Sequence, residues 1–75
     1  MPIEVIEIIS KYTEVSKENI NTDTQISVLS IDSLKFVSLI VELEEYYEKE
    51  MEDESLDFSI YETVGDILIQ FTKGE

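Results

Sequence analysis

The stretch SVLSIDSLKFVSL, Ser27–Leu39, decides how this chain folds. Polar residues punctuate its first half, while its second half repeats apolar residues at helical spacing, so a helix begins inside it. Asp32 has the side chain of an N-cap, which makes Ser33 the first helical residue. At roughly 100° per residue, Phe36, Leu39, Ile40, Leu43 and Tyr47 then share one apolar face over a helix from Ser33 to Glu48. Lys35, Ser38, Glu42 and Glu45 fall opposite. A second, narrower strip of Leu34, Val37 and Val41 lies beside Ser33. It is either additional core or an exposed docking strip.

Outward from this helix the pattern stays helical. Towards the N-terminus, Ile3, Ile6 and Ile9, with Val5, Ile8 and Tyr12, recur at spacings of three and four. They predict an amphipathic helix over residues 2–14, with Pro2 in its first turn and Glu4 and Glu7 at its positive end. Residues 15–32 carry Ser16, Asn19, Asn21, Thr22, Asp23 and Thr24, which predicts a long loop tied to the core by Ile20, Ile26, Val28, Leu29 and Ile31. Residues 48–57 are acidic and read as another loop. Leu56, Phe58, Ile60 and Tyr61 suggest a single helical turn. Thr63 and Asp66 then form a capping box, and Val64, Ile67, Leu68 and Phe71 predict a last helix reaching Lys73. The expectation is one all-α domain over residues 1–75. It is a small four-helix bundle of three main helices and one short one, with a long loop after the first.

Composition narrows the function. The net charge is -13, from 5 lysines and 18 acids with no arginine or histidine. Such a surface repels nucleic acid and anionic lipid and attracts basic protein partners. There is no cysteine for a disulfide or a thiolate metal site. No apolar run approaches the ~18 residues of a membrane span, and the N-terminus does not resemble a signal peptide. A cytoplasmic monomer without membrane insertion is the expectation.

Chemistry at Ser33 is equally constrained. A nucleophilic serine needs a neighbouring base, and no histidine exists. Lys35 stands about 200° around the helix from Ser33. The acids Glu50, Glu52, Asp53, Glu54 and Asp57 lack the alternation and the glycine of a calcium loop, so no metal site is expected. Ser33 is therefore better suited to accept a group than to perform a reaction. A phosphoester at a helix start meets unpaired N–H groups and positive potential. The plainer alternative is a second helix-start residue.

The stretches Thr22-Asp23-Thr24 and Leu29-Ser30-Ile31-Asp32-Ser33-Leu34 resemble the acyl carrier and peptidyl carrier proteins. So do Leu43-Glu44-Glu45-Tyr46-Tyr47 and Thr63-Val64-Gly65-Asp66-Ile67. The resemblance implies a non-enzymatic carrier whose Ser33, between Asp32 and Leu34, receives 4'-phosphopantetheine from coenzyme A through a phosphopantetheinyl transferase. It implies acyl- or aminoacyl-loading, acyl-transfer and condensing enzymes as partners. Those would dock on Leu34, Val37, Val41, Glu44 and Glu45, and an acyl cargo would shelter near Ile40, Leu43 and Tyr61. Ser30 stands where the family usually has glycine, and Lys35 and Ser38 stand where fatty-acid carriers tend to have acids. The chain thus looks more like stand-alone carriers of polyketide, nonribosomal peptide or related specialised pathways. The alternatives are a carrier of fatty-acid synthesis and an unmodified acidic adaptor for a basic partner.

Overall fold

A computed structural model describes residues 1–51 and 58–72, without the Phe58 side chain. Among the described residues four α-helices follow one another: α1 at Ile3–Ser10, α2 at Ile26–Leu29, α3 at Ser33–Tyr47 and α4 at Val64–Thr72. Single 3₁₀ turns lie at Lys17–Asn19 and Phe58–Ile60. The all-α expectation holds. The acids from Glu52 to Asp57, and the chain from Lys73 onward, lie outside the described residues.

α1 is shorter than its apolar spacing suggested. Pro2 caps it from an extended conformation, and its carbonyl accepts from the Val5 and Ile6 amides. At the other end the Lys11 and Tyr12 amides bond three residues back, to the Ile8 and Ile9 carbonyls, which tightens and ends the helix. Thr13 then diverts the chain. Its hydroxyl donates to the Leu29 carbonyl at 2.8 Å and accepts from the Val15 amide at 3.2 Å. Periodicity alone could not show this, because Tyr12 keeps the apolar rhythm after the backbone has left the helix.

The segment expected to be a long loop contains the Lys17–Asn19 turn and the four-residue α2. Ile20, Ile26, Leu29 and Ile31 are buried as expected, whereas Val28 is 58% exposed. α2 ends at Ser30, whose φ of 55° and ψ of 41° are left-handed. That reversal sends Leu29 and Ile31 into the core on either side of an exposed Ser30. A glycine, having no Cβ to crowd, would adopt this geometry freely, so the family's glycine has a plain conformational reason here.

The polar cluster Asn21–Thr24 folds on itself. The Asp23 amide donates to Asn21 Oδ1 at 2.8 Å, and the Asn21 amide donates to Thr24 Oγ1 at 2.9 Å. These bonds present two carbonyls to the start of α4. Thr24 O accepts from the Val64 amide and Thr22 O from the Gly65 amide, each at 2.9 Å. The Ile26 amide donates in return to the Glu62 carbonyl at 2.9 Å, and Gln25 pairs with Thr63 in an isolated antiparallel bridge. The capping box forms as well: Asp66 Oδ2 accepts from the Thr63 and Glu62 amides, and Thr63 Oγ1 accepts from the Asp66 amide. Those amides hold the Asp66 carboxyl below its usual range.

The core packs Val5 and Ile9 of α1 against Phe36, Leu39, Ile40 and Leu43 of α3, with Val64, Ile67, Leu68 and Phe71 of α4. Glu42, expected on the solvent side of α3, faces α1 instead. The Tyr12 hydroxyl donates to Glu42 Oε1, and Lys11 Nζ lies 2.9 Å from Glu42 Oε2. This pair of contacts braces α1 on α3.

Three substitutions test these features. Left-handed serine costs about 1–2 kcal/mol, and glycine returns about 0.4–1 of it through its freer unfolded chain. Ser30→Gly should therefore stabilise the fold by up to about 1.6 kcal/mol, a rise in Tm of several degrees at this size. A Cβ on Gly65 would meet Thr22 O at 3.0 Å. Gly65→Ala should cost about 1–3 kcal/mol in urea unfolding, as overpacking does elsewhere. The third test is a titration. The hydrogen bond to Glu42, then burial, then the charge of Glu42 push the Tyr12 hydroxyl up to about 12. Because the folded value is the higher one, this contribution to stability is complete below about pH 10 and fades as pH rises through about 12. Tyrosinate absorbance should show the delayed ionisation, and Glu42→Gln should bring it down.

Candidate functional site

Ser33 opens α3, the longest helix among the described residues, and is exposed. The start of this helix is built by Asp32, which is extended and accepts the Lys35 amide on Oδ1 at 2.8 Å. Its carbonyl accepts the Phe36 amide at 2.8 Å. The Ser33 and Leu34 amides belong to the first turn and have no intrahelical acceptor. An anion on the Ser33 oxygen would therefore sit beside free donors at the positive end of a four-turn helix. The Asp32 carboxylate is already turned towards the Lys35 amide, so its negative charge is partly engaged.

The strip that left two alternatives open now has one answer. Leu34 is 80% exposed, Val37 40% and Val41 45%. None of them is core. They form an apolar band on the solvent face of α3, running from the Ser33 end towards Glu45 and Glu48. Near the end of the helix a surface groove of about 400 Å³ is lined by Val41, Glu44, Glu45, Glu48, Lys49 and Glu50.

Glu44 and Glu45 differ in surroundings. Glu45 is exposed, while Glu44 is half-buried and its Oε2 accepts the Met51 amide at 2.7 Å. The Glu44 backbone carbonyl also accepts the Glu48 and Lys49 amides, where Glu48 ends the helix in a left-handed conformation. Glu44 thus ties down the exit of α3 with one carboxylate oxygen. A sequence has no local sign for such a bond, because its donor lies seven residues away.

Sequence reasoning also missed a groove on the other side of the turn before Ser33. Ser27, Ser30 and Ser59 rim it, and Ile26, Ile31 and Tyr61 floor it. Ser27 and Ser59 are far apart in the chain and meet only because residues 22–26 dock on the start of α4.

Chemically, the arrangement offers an unhindered hydroxyl, helix amides suited to a phosphoester and a mixed apolar and acidic face beside it. These residues fit a covalently held phosphate. Comparison with curated proteins returned no match. A family model described as "Phosphopantetheine attachment site" matches residues 4–69. The match spans all of α2 and α3 and most of α1 and α4. The chain belongs to this carrier family, whose members hold 4'-phosphopantetheine covalently on a serine.

Proposed function

We propose that Ser33 is the serine that carries the phosphopantetheine arm and that the chain serves specialised biosynthesis rather than housekeeping fatty-acid synthesis. The observation that carries the first half is the exposed Ser33 hydroxyl at an open helix start. When attached, the arm supplies the thiol that holds acyl or aminoacyl groups as thioesters, chemistry for which this cysteine-free chain has no group of its own. The chain's residues hold and present. Asp32 fixes the first turn through the Lys35 amide, the free amides of that turn favour the phosphate, and Glu42 steadies the helix against α1. The protein performs no catalysis itself.

The second half rests on the charges of α3. Lys35 and Ser38 are exposed where carriers of fatty-acid synthesis tend to have acids. Partners that dock on Leu34, Val37 and Val41 meet glutamates only towards the far end of the band, with Glu45 exposed and Glu44 partly committed. The partners are a phosphopantetheinyl transferase and the enzymes that load, extend or take the cargo. Electrostatic docking of this kind gives fast encounters and short residence.

Incubation of the apo protein with coenzyme A and a broad-specificity transferase should add one phosphopantetheine to the intact mass, and Ser33→Ala should abolish the addition. An adduct that survives in Ser33→Ala would place the arm elsewhere. Val41→Asp should leave the free energy of urea unfolding within about 0.5 kcal/mol of the parent, as surface substitutions do. It should lower kcat/KM for transferase labelling by about tenfold, equal to ~1.4 kcal/mol of docking energy. A collapse of helical circular dichroism would instead make Val41 structural.

A further inference from the structure

Val28 is out of place. Ile20, Ile26, Leu29 and Ile31, the other apolar residues of the connection after α1, are buried, and Val28 is 58% exposed. It lies on the wall of a surface groove of about 520 Å³ between the end of α1, α2 and the first turn of α3. Val15 and Leu29 add to its apolar lining, and Lys11, Glu14 and Lys35 bring its charges. The groove is preformed. The Thr13 hydroxyl donates to the Leu29 carbonyl at 2.8 Å and accepts from the Val15 amide at 3.2 Å, so hydrogen bonds hold both apolar walls. A site already shaped loses less to ordering when something binds.

Its charge is unusual for this molecule. Two lysines and one glutamate line it, whereas the groove beside Val41 has one lysine and four glutamates. Lys11 is occupied, because its Nζ lies 2.9 Å from Glu42 Oε2. Lys35 is exposed and has no carboxylate partner among the described residues. It stands about 100° around α3 from Leu34, so the groove faces the α1 side and not the band of Leu34, Val37 and Val41. A free ammonium beside an exposed valine suits a ligand that joins one carboxylate to an apolar side chain. A polyanion does not fit. One free lysine cannot hold a phosphodiester chain or an anionic bilayer against a net charge of -13.

We propose that this groove is a second docking surface, for a protein segment in which an acidic residue adjoins an aliphatic one. The carboxylate pairs with Lys35, and the aliphatic side chain packs on Val28 and Val15. The partner that supplies the segment is an enzyme that also meets the exposed face of α3. With Glu45 towards the far end of that helix, the two surfaces have opposite charge preferences, and a partner complementary to both can dock in one direction only.

The test uses the full apo chain, so its result does not depend on which serine carries the arm. Amide spectra are followed as acetyl-Glu-Leu-Glu-amide is added, with acetyl-Gln-Leu-Gln-amide as the matched neutral peptide. The Val15, Val28 and Lys35 amides should shift saturably with the acidic peptide and bind it more tightly than the neutral one. Raising salt from about 20 to about 300 mM should weaken the difference. Lys35→Glu should lower affinity for the acidic peptide by about fivefold, the scale of an exposed ion pair, and leave the neutral peptide unaffected. An acid in the first turn of α3 suits the helix dipole, so this variant keeps its helical circular dichroism. Lys35→Gln, which only removes the charge, should fall between the parent and Lys35→Glu. Val28→Ser should weaken both peptides. Equal binding of the two peptides by the parent, shifts that do not saturate at these amides, or unchanged affinity in Lys35→Glu would each overturn the proposal.

Discussion

The start of an α-helix leaves amides without acceptors, and this fold depends on how two such starts are treated. At α4 the vacancy is filled from within. The Thr22 and Thr24 carbonyls accept the Gly65 and Val64 amides, and Thr63 and Asp66 complete the cap. That bonding fixes the long connection after α1 in space, so α2, the Ser30 reversal and the Asp32 cap all have a set position. At α3 only Asp32 caps, and the first two amides stay available around an exposed Ser33. One helix end is used to build the molecule, and the other keeps its first amides open beside the serine proposed to carry the arm. Gly65 is the residue that permits the first, because a side chain there would press on the Thr22 carbonyl.

Much of this was legible in the sequence because it follows from local periodicity. The buried face of α3, the Asp32 cap and the Thr63–Asp66 box all depend on residues within one or two turns of each other. What was not legible depends on distant partners. Glu42 sits on the polar side of the α3 helical wheel, and nothing near it announces Tyr12 and Lys11, some thirty residues earlier. The end of α1 was misplaced for the same reason: Thr13 leaves the helix to reach the Leu29 carbonyl. The exposure of Leu34, Val37 and Val41 also needed the fold. A valine on a helix reads the same whether another helix covers it or water does.

Ser30 joins the two kinds of information. Its identity is local, and its departure from the family's glycine is visible in the letters alone. Its consequence is geometric. A positive φ at the end of α2 is a strained choice for serine, yet the hydroxyl it adds belongs to the rim of the groove beside the attachment turn. A glycine would relieve the backbone and remove that hydroxyl. The residue that makes the turn less stable also makes the groove more polar, which is the pattern expected where stability is given up for a binding surface.

The charges of α3 extend this point. A helix is favoured by acids in its first turn and bases in its last. Here the first turn has no acid and contains Lys35, while the last turns carry Glu44, Glu45 and Glu48 with no base. The far end has the sign that the helix dipole disfavours, while Asp32 gives the start the favoured one, in a chain whose net charge of -13 already works against compactness. Glu44 recovers part of the loss through the Met51 amide, and Glu45 shows no such return among the described residues. Helix stability therefore does not account for Glu45 and Glu48. The proposed docking face would use the exposed glutamate at the far end of the band, Glu45, to meet basic groups of a partner. The same helix then has three faces with separate tasks. Phe36, Leu39, Ile40 and Leu43 hold the fold, Glu42 braces α1, and the band from Leu34 to Glu45 stays exposed as the face proposed for docking.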